Sequence, residues 1–176
     1  MALDSDNVRV AVTGAVYVGP TSATAPSSSA STLTGFTDLG YVSADGITET
    51  IDKTTSQIRA WQNGALVREV VSEGTYSVTL TFIETNQDVL ELYFGSAVTD
   101  GELDGDPTNS GGRKSFVMDV VDGSIVERTY IPAGEITAVG ERTLASGEAI
   151  GYNVTITAYA DTSNVTFKKF FSELEA

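Results

Sequence analysis

Apolar and polar residues alternate with a period of two through most of this chain, and that alternation constrains the fold more than any other feature. Each such segment places every second side chain on one face, which describes a strand with one side buried and the other wet. In residues 75–84, Tyr76, Val78, Leu80 and Phe82 share a face, and Thr75, Ser77, Thr79 and Thr81 share the opposite one. Residues 152–159 repeat the pattern, with Tyr152, Val154 and Ile156 opposed by Asn153, Thr155 and Thr157. Residues 8–18 do so through Val8, Val10, Val12, Val16 and Val18, with Gly14 on that face as a bulge or close approach. Further strands are predicted at 36–43, 47–51, 66–71, 115–121, 124–131, 136–143 and 165–171. About ten short strands at this spacing predict a mainly β fold, a sandwich or partial barrel. At 176 residues the chain fits one domain spanning 1–176.

One segment breaks the rhythm. Thr85-Asn86-Gln87-Asp88 has capping-box spacing, a hydroxyl followed three residues on by an acid, and predicts a helix over about 86–94. Val89, Leu90, Leu92, Tyr93 and Phe94 supply its apolar stripe, and Gly95 is placed to end it in the left-handed conformation. So short a helix is not stable alone and must pack on the sheets or on a neighbouring subunit. Loops are expected at 19–35, 52–64 and 99–112, and residues 1–7 read as an arm ordered by a partner.

The chain contains neither cysteine nor histidine. That removes disulfides, thiolate and serine-histidine chemistry, and nearly all transition-metal sites, so no enzyme, cofactor or metal site is expected. A net charge of -14 opposes sequence-independent binding to nucleic-acid phosphates, and leaves open a surface that lies beside DNA without holding it. The acidic start MALDSDNVRV lacks a secretory signal and no stretch is long enough to span a membrane, which predicts synthesis and retention in the cytosol. Asp100, Glu102, Asp104 and Gly105 copy the first half of an EF-hand loop, but Gly111 stands where the bidentate glutamate is needed, leaving an acidic surface loop. Lys168 and Lys169 read as edge-strand lysines that discourage stray pairing.

The stretch Ile58-Arg59-Ala60-Trp61-Gln62-Asn63-Gly64 holds the single tryptophan. Tryptophan and arginine concentrate at the energetic centres of interfaces. Its polar flanks, Lys53 to Gln57 and Gln62-Asn63, argue for a projecting contact loop and against a core position. Candidate contact residues are therefore Ile58, Arg59, Trp61, Gln62, Asn63 and Arg68, with Asp4 and Asp6 on the arm.

Phe36-Thr37-Asp38-Leu39-Gly40-Tyr41-Val42, Asp45-Gly46-Ile47-Thr48-Glu49, Ile58-Arg59-Ala60-Trp61-Gln62 with Val67-Arg68, and the run Ile83 to Gly95 resemble the major tail proteins of long-tailed bacteriophages, especially those infecting actinobacteria. The resemblance covers the whole chain in order of elements and 36–95 closely. It implies a non-enzymatic virion protein that assembles as hexameric rings stacked into a tail tube. Four strands of each subunit would line an inner barrel through which DNA and the tape-measure protein pass. The arm at 1–7 and the loop at 52–64 would tie successive rings together, and tail terminator and baseplate proteins would be partners. Relatives often append an immunoglobulin-like C-terminal domain, for which the chain has no room. The competing reading of the β pattern is a monomeric binding module, such as a receptor-binding or capsid-decorating protein.

Overall fold

The computed structural model describes residues 7–174. Its elements are β1 (Thr13–Gly19), β2 (Thr37–Asp38), β3 (Val42–Arg59), β4 (Leu66–Phe82), α1 (Gln87–Phe94), β5 (Val98–Thr99), β6 (Glu102–Leu103), β7 (Lys114–Asp122), β8 (Ile125–Val139), β9 (Tyr152–Tyr159) and β10 (Lys168–Phe171). Seven strands follow the order β2-β1-β7-β8-β9-β4-β3, with β10 also paired to β8, and β5 and β6 form a separate two-stranded piece. All pairings are antiparallel. The sheet does not close into a barrel, because β2 and β3 end the path at opposite edges.

β8 is the strand that turns one sheet into two layers. Its first half pairs with β7 on one side and β10 on the other, and its second half pairs with β9. The predicted break between 124–131 and 136–143 is instead strand, since β8 continues without interruption through Pro132 and bends there. Pro132 lacks an amide to donate, and it sits in a register irregularity where Lys114 pairs Gly134 and Phe116 pairs Ile131. The Ser115 hydroxyl donates to the Pro132 carbonyl at 2.8 Å there. Gly134 is required at the bend: a Cβ would lie 2.7 Å from the Phe116 ring and 2.9 Å from Ile156.

The layers share one core. Val16, Val18, Phe116, Met118 and Ile131 from one half meet Tyr76, Val78, Leu80, Phe82, Tyr152, Val154 and Ile156 from the other. The predicted buried face of 75–84 is the one observed, at 3, 0, 2 and 0% exposure for Tyr76, Val78, Leu80 and Phe82. The strand predicted at 152–159 has those bounds. Of the strand predicted at 8–18, only Thr13 onward is strand, preceded by one bond from the Val12 amide to the Val121 carbonyl at 3.1 Å, and Val8, Val10 and Val12 are exposed.

β7 and β8 bury their second face as well. The loop at 20–35 lies over it, held by Arg128. The Arg128 guanidinium makes two 2.7 Å bonds to the Asp119 carboxylate and a 2.6 Å bond to the Ser31 carbonyl. Arg128 is 7% exposed and engaged within its own subunit.

The helix falls where predicted, with a different cap. Asn86 is the N-cap, its side chain accepting from the Val89 amide at 2.9 Å, while the Thr85 hydroxyl pairs with the Tyr152 hydroxyl at 3.0 Å. Gly95 ends the helix at φ 69°, its amide bonded to the Glu91 carbonyl at 2.9 Å. Val89 and Leu92 enter the core, so α1 closes the end of the sandwich where β4 and β8 stop and β9 begins.

The largest departure from expectation is at 52–64. Residues 52–59 are strand, not loop: after an irregularity between Val42↔Phe82 and Ile47↔Leu80, β3 and β4 stay paired as far as Arg59↔Leu66, and only the tip at 60–65 turns. Neither face of this part is buried within the chain, so its sequence carries no one-sided alternation and reads as polar loop. Register shifts lie between Thr54 and Thr55 and between Ile58 and Arg59, each leaving an extra residue on β4.

Candidate assembly surfaces

The first surface is the projecting arm. β9 pairs with β4 only as far as Tyr76, so the ten residues from Leu66 to Thr75 have β3 as their single strand neighbour among the described residues. At ~3.3 Å per residue the arm extends ~30 Å from the sheet. The tip turns through Asn63 and Gly64 at φ 56° and 61°, closed by a 2.8 Å bond from the Ala60 amide to the Ala65 carbonyl. Arg59 braces it with bonds to Gln57 at 2.7 Å and to the Gly64 carbonyl at 3.2 Å.

Trp61 stands at this tip, 97% exposed. Ile58, Arg59, Gln62 and Asn63 surround it, and Arg68 lies directly across from Ile58, so the predicted contact residues come together. Asp4 and Asp6 lie outside the described residues. Sequence reading passed over Leu66, Val67, Val70, Val71 and Ile51, which are also exposed along the arm. The Val70-Val71 pair was the available signal, since a run of apolar residues has no wet face to assign.

The root of the arm is fixed by a charge cluster. Lys169 of β10 donates to both Glu49 oxygens at 2.8 Å and to Glu127 at 2.5 Å, joining β3, β8 and β10. Burial opposes the lysine's charge, but the Glu127 and Glu49 carboxylates outweigh it and raise its pKa. Burial, then Glu49, also pushes the Tyr76 hydroxyl well above the ordinary tyrosine value, and Tyr76 stacks on Phe167 at 4.1 Å. Lys169 thus serves as a bolt under the arm and not simply as an edge lysine.

The second surface is the outer face of β3, β4, β9 and the second half of β8. Opposed residues share a face, which aligns Thr50, Ser77 and Thr157 in one row and Thr48, Thr79 and Thr155 in the next. Hydroxyls bond across the strands, Thr79 to Thr155 at 3.0 Å and Thr137 to Thr157 at 2.7 Å, and Asn153 donates to Thr81 at 2.9 Å. These bonds satisfy the hydroxyls within the sheet and leave a smooth polar wall, its Thr50-Ser77-Thr157 row ending in Glu135 and Asp52 standing opposite Thr75 toward the arm.

The third surface is a groove of about 480 Å³ at the end closed by α1. Leu92, Tyr93, Phe94, Ile136 and Val139 form its apolar floor, and Gly105 to Ser110 form one rim. Asp106 caps its own turn, accepting from the Thr108 amide at 2.9 Å and hydroxyl at 2.7 Å. Those bonds hold its carboxyl below the usual range, so the rim stays charged. Nearby, Arg142 sits over the Phe94 and Tyr152 rings.

These are surfaces for contact, arranged on a two-layered β scaffold, and they define a structural assembly protein. The sequence model of the family described as phage tail tube protein matches residues 1–174, and the chain belongs to that family. It is a structural tail protein, a class that assembles with other tail components. A chain in the cryo-EM structure of the anti-feeding prophage cap, the tube terminating cap, is similar in fold. Its TM-score is 0.50 at 12% identity, covering 96% of this chain and 98% of that one. A chain in the virion of a native gene transfer agent particle gives a TM-score of 0.43 at 10% identity, with 77% and 88% covered. No curated protein matches the sequence. Among the described residues no helix is long and apolar enough to cross a membrane.

Proposed function

We propose that copies of this chain form hexameric rings that stack into the phage tail tube, with DNA and the tape-measure protein passing through the lumen. The observation that carries this reading is the pairing of a hydroxyl wall on four strands with a ~30 Å arm built from two of those same strands. A channel for a polyanion needs a wall that is wet, smooth and free of clustered bases, and the threonine rows supply one. Stacking needs an element that leaves its own subunit, and the arm does so with Trp61 at its end.

In this arrangement β3, β4, β9 and β8 face the lumen. The arm, including Ile58, Arg59, Trp61, Gln62, Asn63 and Arg68, reaches the next ring. Residues 1–7, with Asp4 and Asp6, add a second inter-ring tie, and tail terminator and baseplate proteins bind the ends of the stack. Negative-stain electron microscopy of concentrated pure protein tests the reading. Rings or tubes with a central channel are expected; a strictly monomeric species, together with absence from purified virions, would overturn it.

A further inference from the structure

The arm tip and the α1 groove lie at opposite ends of one sheet. β4 begins at the tip with Leu66 and ends at Phe82, beside the helix; β9 opens there at Tyr152, and β8 closes there at Val139. A contact between two such patches on different copies is head-to-tail, and when it does not close on itself it propagates as a filament.

The two patches also match in chemistry. The tip offers an exposed indole with Ile58 and Leu66 beside it, flanked by Arg59 and Arg68, with no acid between Lys53 and Glu69. In a chain of net charge -14 this is a locally basic apolar knob. The groove has the reverse character: an apolar floor of Leu92, Phe94 and Ile136 beside a rim that carries Asp106, with Asp100, Glu102 and Asp104 in the segment leading to that rim, while Arg142 is held over the Phe94 and Tyr152 rings. Its volume of about 480 Å³ admits an indole and the apolar stems beside it. Aromatic and arginine side chains seated in an apolar pocket with an oppositely charged rim are the usual centre of a tight contact.

We infer that the groove between α1, the 105–110 loop and the end of β8 receives the Trp61 tip of a second copy of this chain. The inference rests on the tube reading for its biological setting, but it names a receptor that the tube reading leaves open. Arg59 and Arg68 meet the acidic rim and set the polarity of the contact, since the same tip brought against another copy's tip would face like charge.

Photo-crosslinking tests this directly. Trp61 is replaced by the photoreactive residue benzoylphenylalanine, isotopically heavy and light protein are mixed, and heavy-light crosslinked peptides are mapped while the same sample is imaged. Crosslinks from position 61 to 92–95, 105–110 or 136–139 of another copy are expected. The double variant Asp104→Lys with Asp106→Lys is expected to lower their yield roughly tenfold, and Arg68→Glu in the partner copy to restore part of it. Groove crosslinks without tubes uphold the docking and overturn the tube reading. Tubes with crosslinks elsewhere, or with none, overturn the docking and leave the tube reading standing. Neither tubes nor groove crosslinks overturns both.

Discussion

The same two strands, β3 and β4, behave as different materials along their length. From Tyr76 to Phe82, β4 alternates between buried and half-buried side chains and lies between two paired neighbours. From Leu66 to Thr75 every residue is exposed and the partner strand is equally bare. The ladder of backbone bonds continues from one region to the other, so hydrogen bonding does not separate them. What separates them is a second layer. An isolated two-stranded ribbon is marginal in water, so the packed half is held by its core while the arm has no second layer from its own chain to steady it.

That contrast can be broken at either end. The largest effect belongs to the packed half: Phe82→Ala removes a fully buried ring and is expected to cost ~3–5 kcal/mol, read as a lower urea midpoint at unchanged slope. Arg128→Met follows at about 3 kcal/mol, because it strands the buried Asp119 carboxylate and releases Ser31. Adding Asp119→Leu should recover much of that loss, and a double variant as weak as the single one would show that the loop over β7 matters more than the stranded charge. Asn86→Ala should cost about 1 kcal/mol through the lost helix cap, measured the same way.

A smaller effect is expected from acid. Glu91 accepts from Gln87 and from the Val98 amide, and those bonds lower its pKa despite partial burial. A carboxylate held below its unfolded value adds stability above that value and loses it as pH falls through the folded one. The wild-type melting temperature should therefore drop slightly more than that of Glu91→Gln between neutral and acid pH. The smallest effect on folding is the one that sharpens the comparison most. Trp61→Ala should move the monomer's stability by less than ~0.5 kcal/mol while removing assembly, checked by pairing a thermal melt with electron microscopy. Loss of a cooperative melt in that variant would mean that the arm folds back onto its own subunit.

Legibility in the sequence follows the same divide. Tyr152–Tyr159 was readable to the residue because one face is core and the other is not. The helix was readable from Asn86 to Gly95, but two adjacent residues could cap it, and the choice fell to Asn86 because the Tyr152 hydroxyl engages Thr85. Lys53-Thr-Thr-Ser-Gln-Ile-Arg59 read as loop although it is strand, since alternation records burial and not extension. Pro132 and Gly134 fell in the gap between two predicted strands, whereas they mark the place where one long strand passes between layers. The contact residues around Trp61 were legible from their types. The α1 groove was not, because three segments distant in sequence build it.

The register slip between Thr54 and Thr55 has a consequence for the shape of any neighbour. It shifts the odd-even phase of β4 against β3, so Val71 falls opposite Thr55 on the side that carries Ile51, while Val70 falls opposite Ser56 on the side that carries Ile58. The arm is therefore a wedge and not a flap: greasy on both cheeks, it would leave one of them in water if laid against a single flat surface. A slot between two adjoining molecules dries both at once.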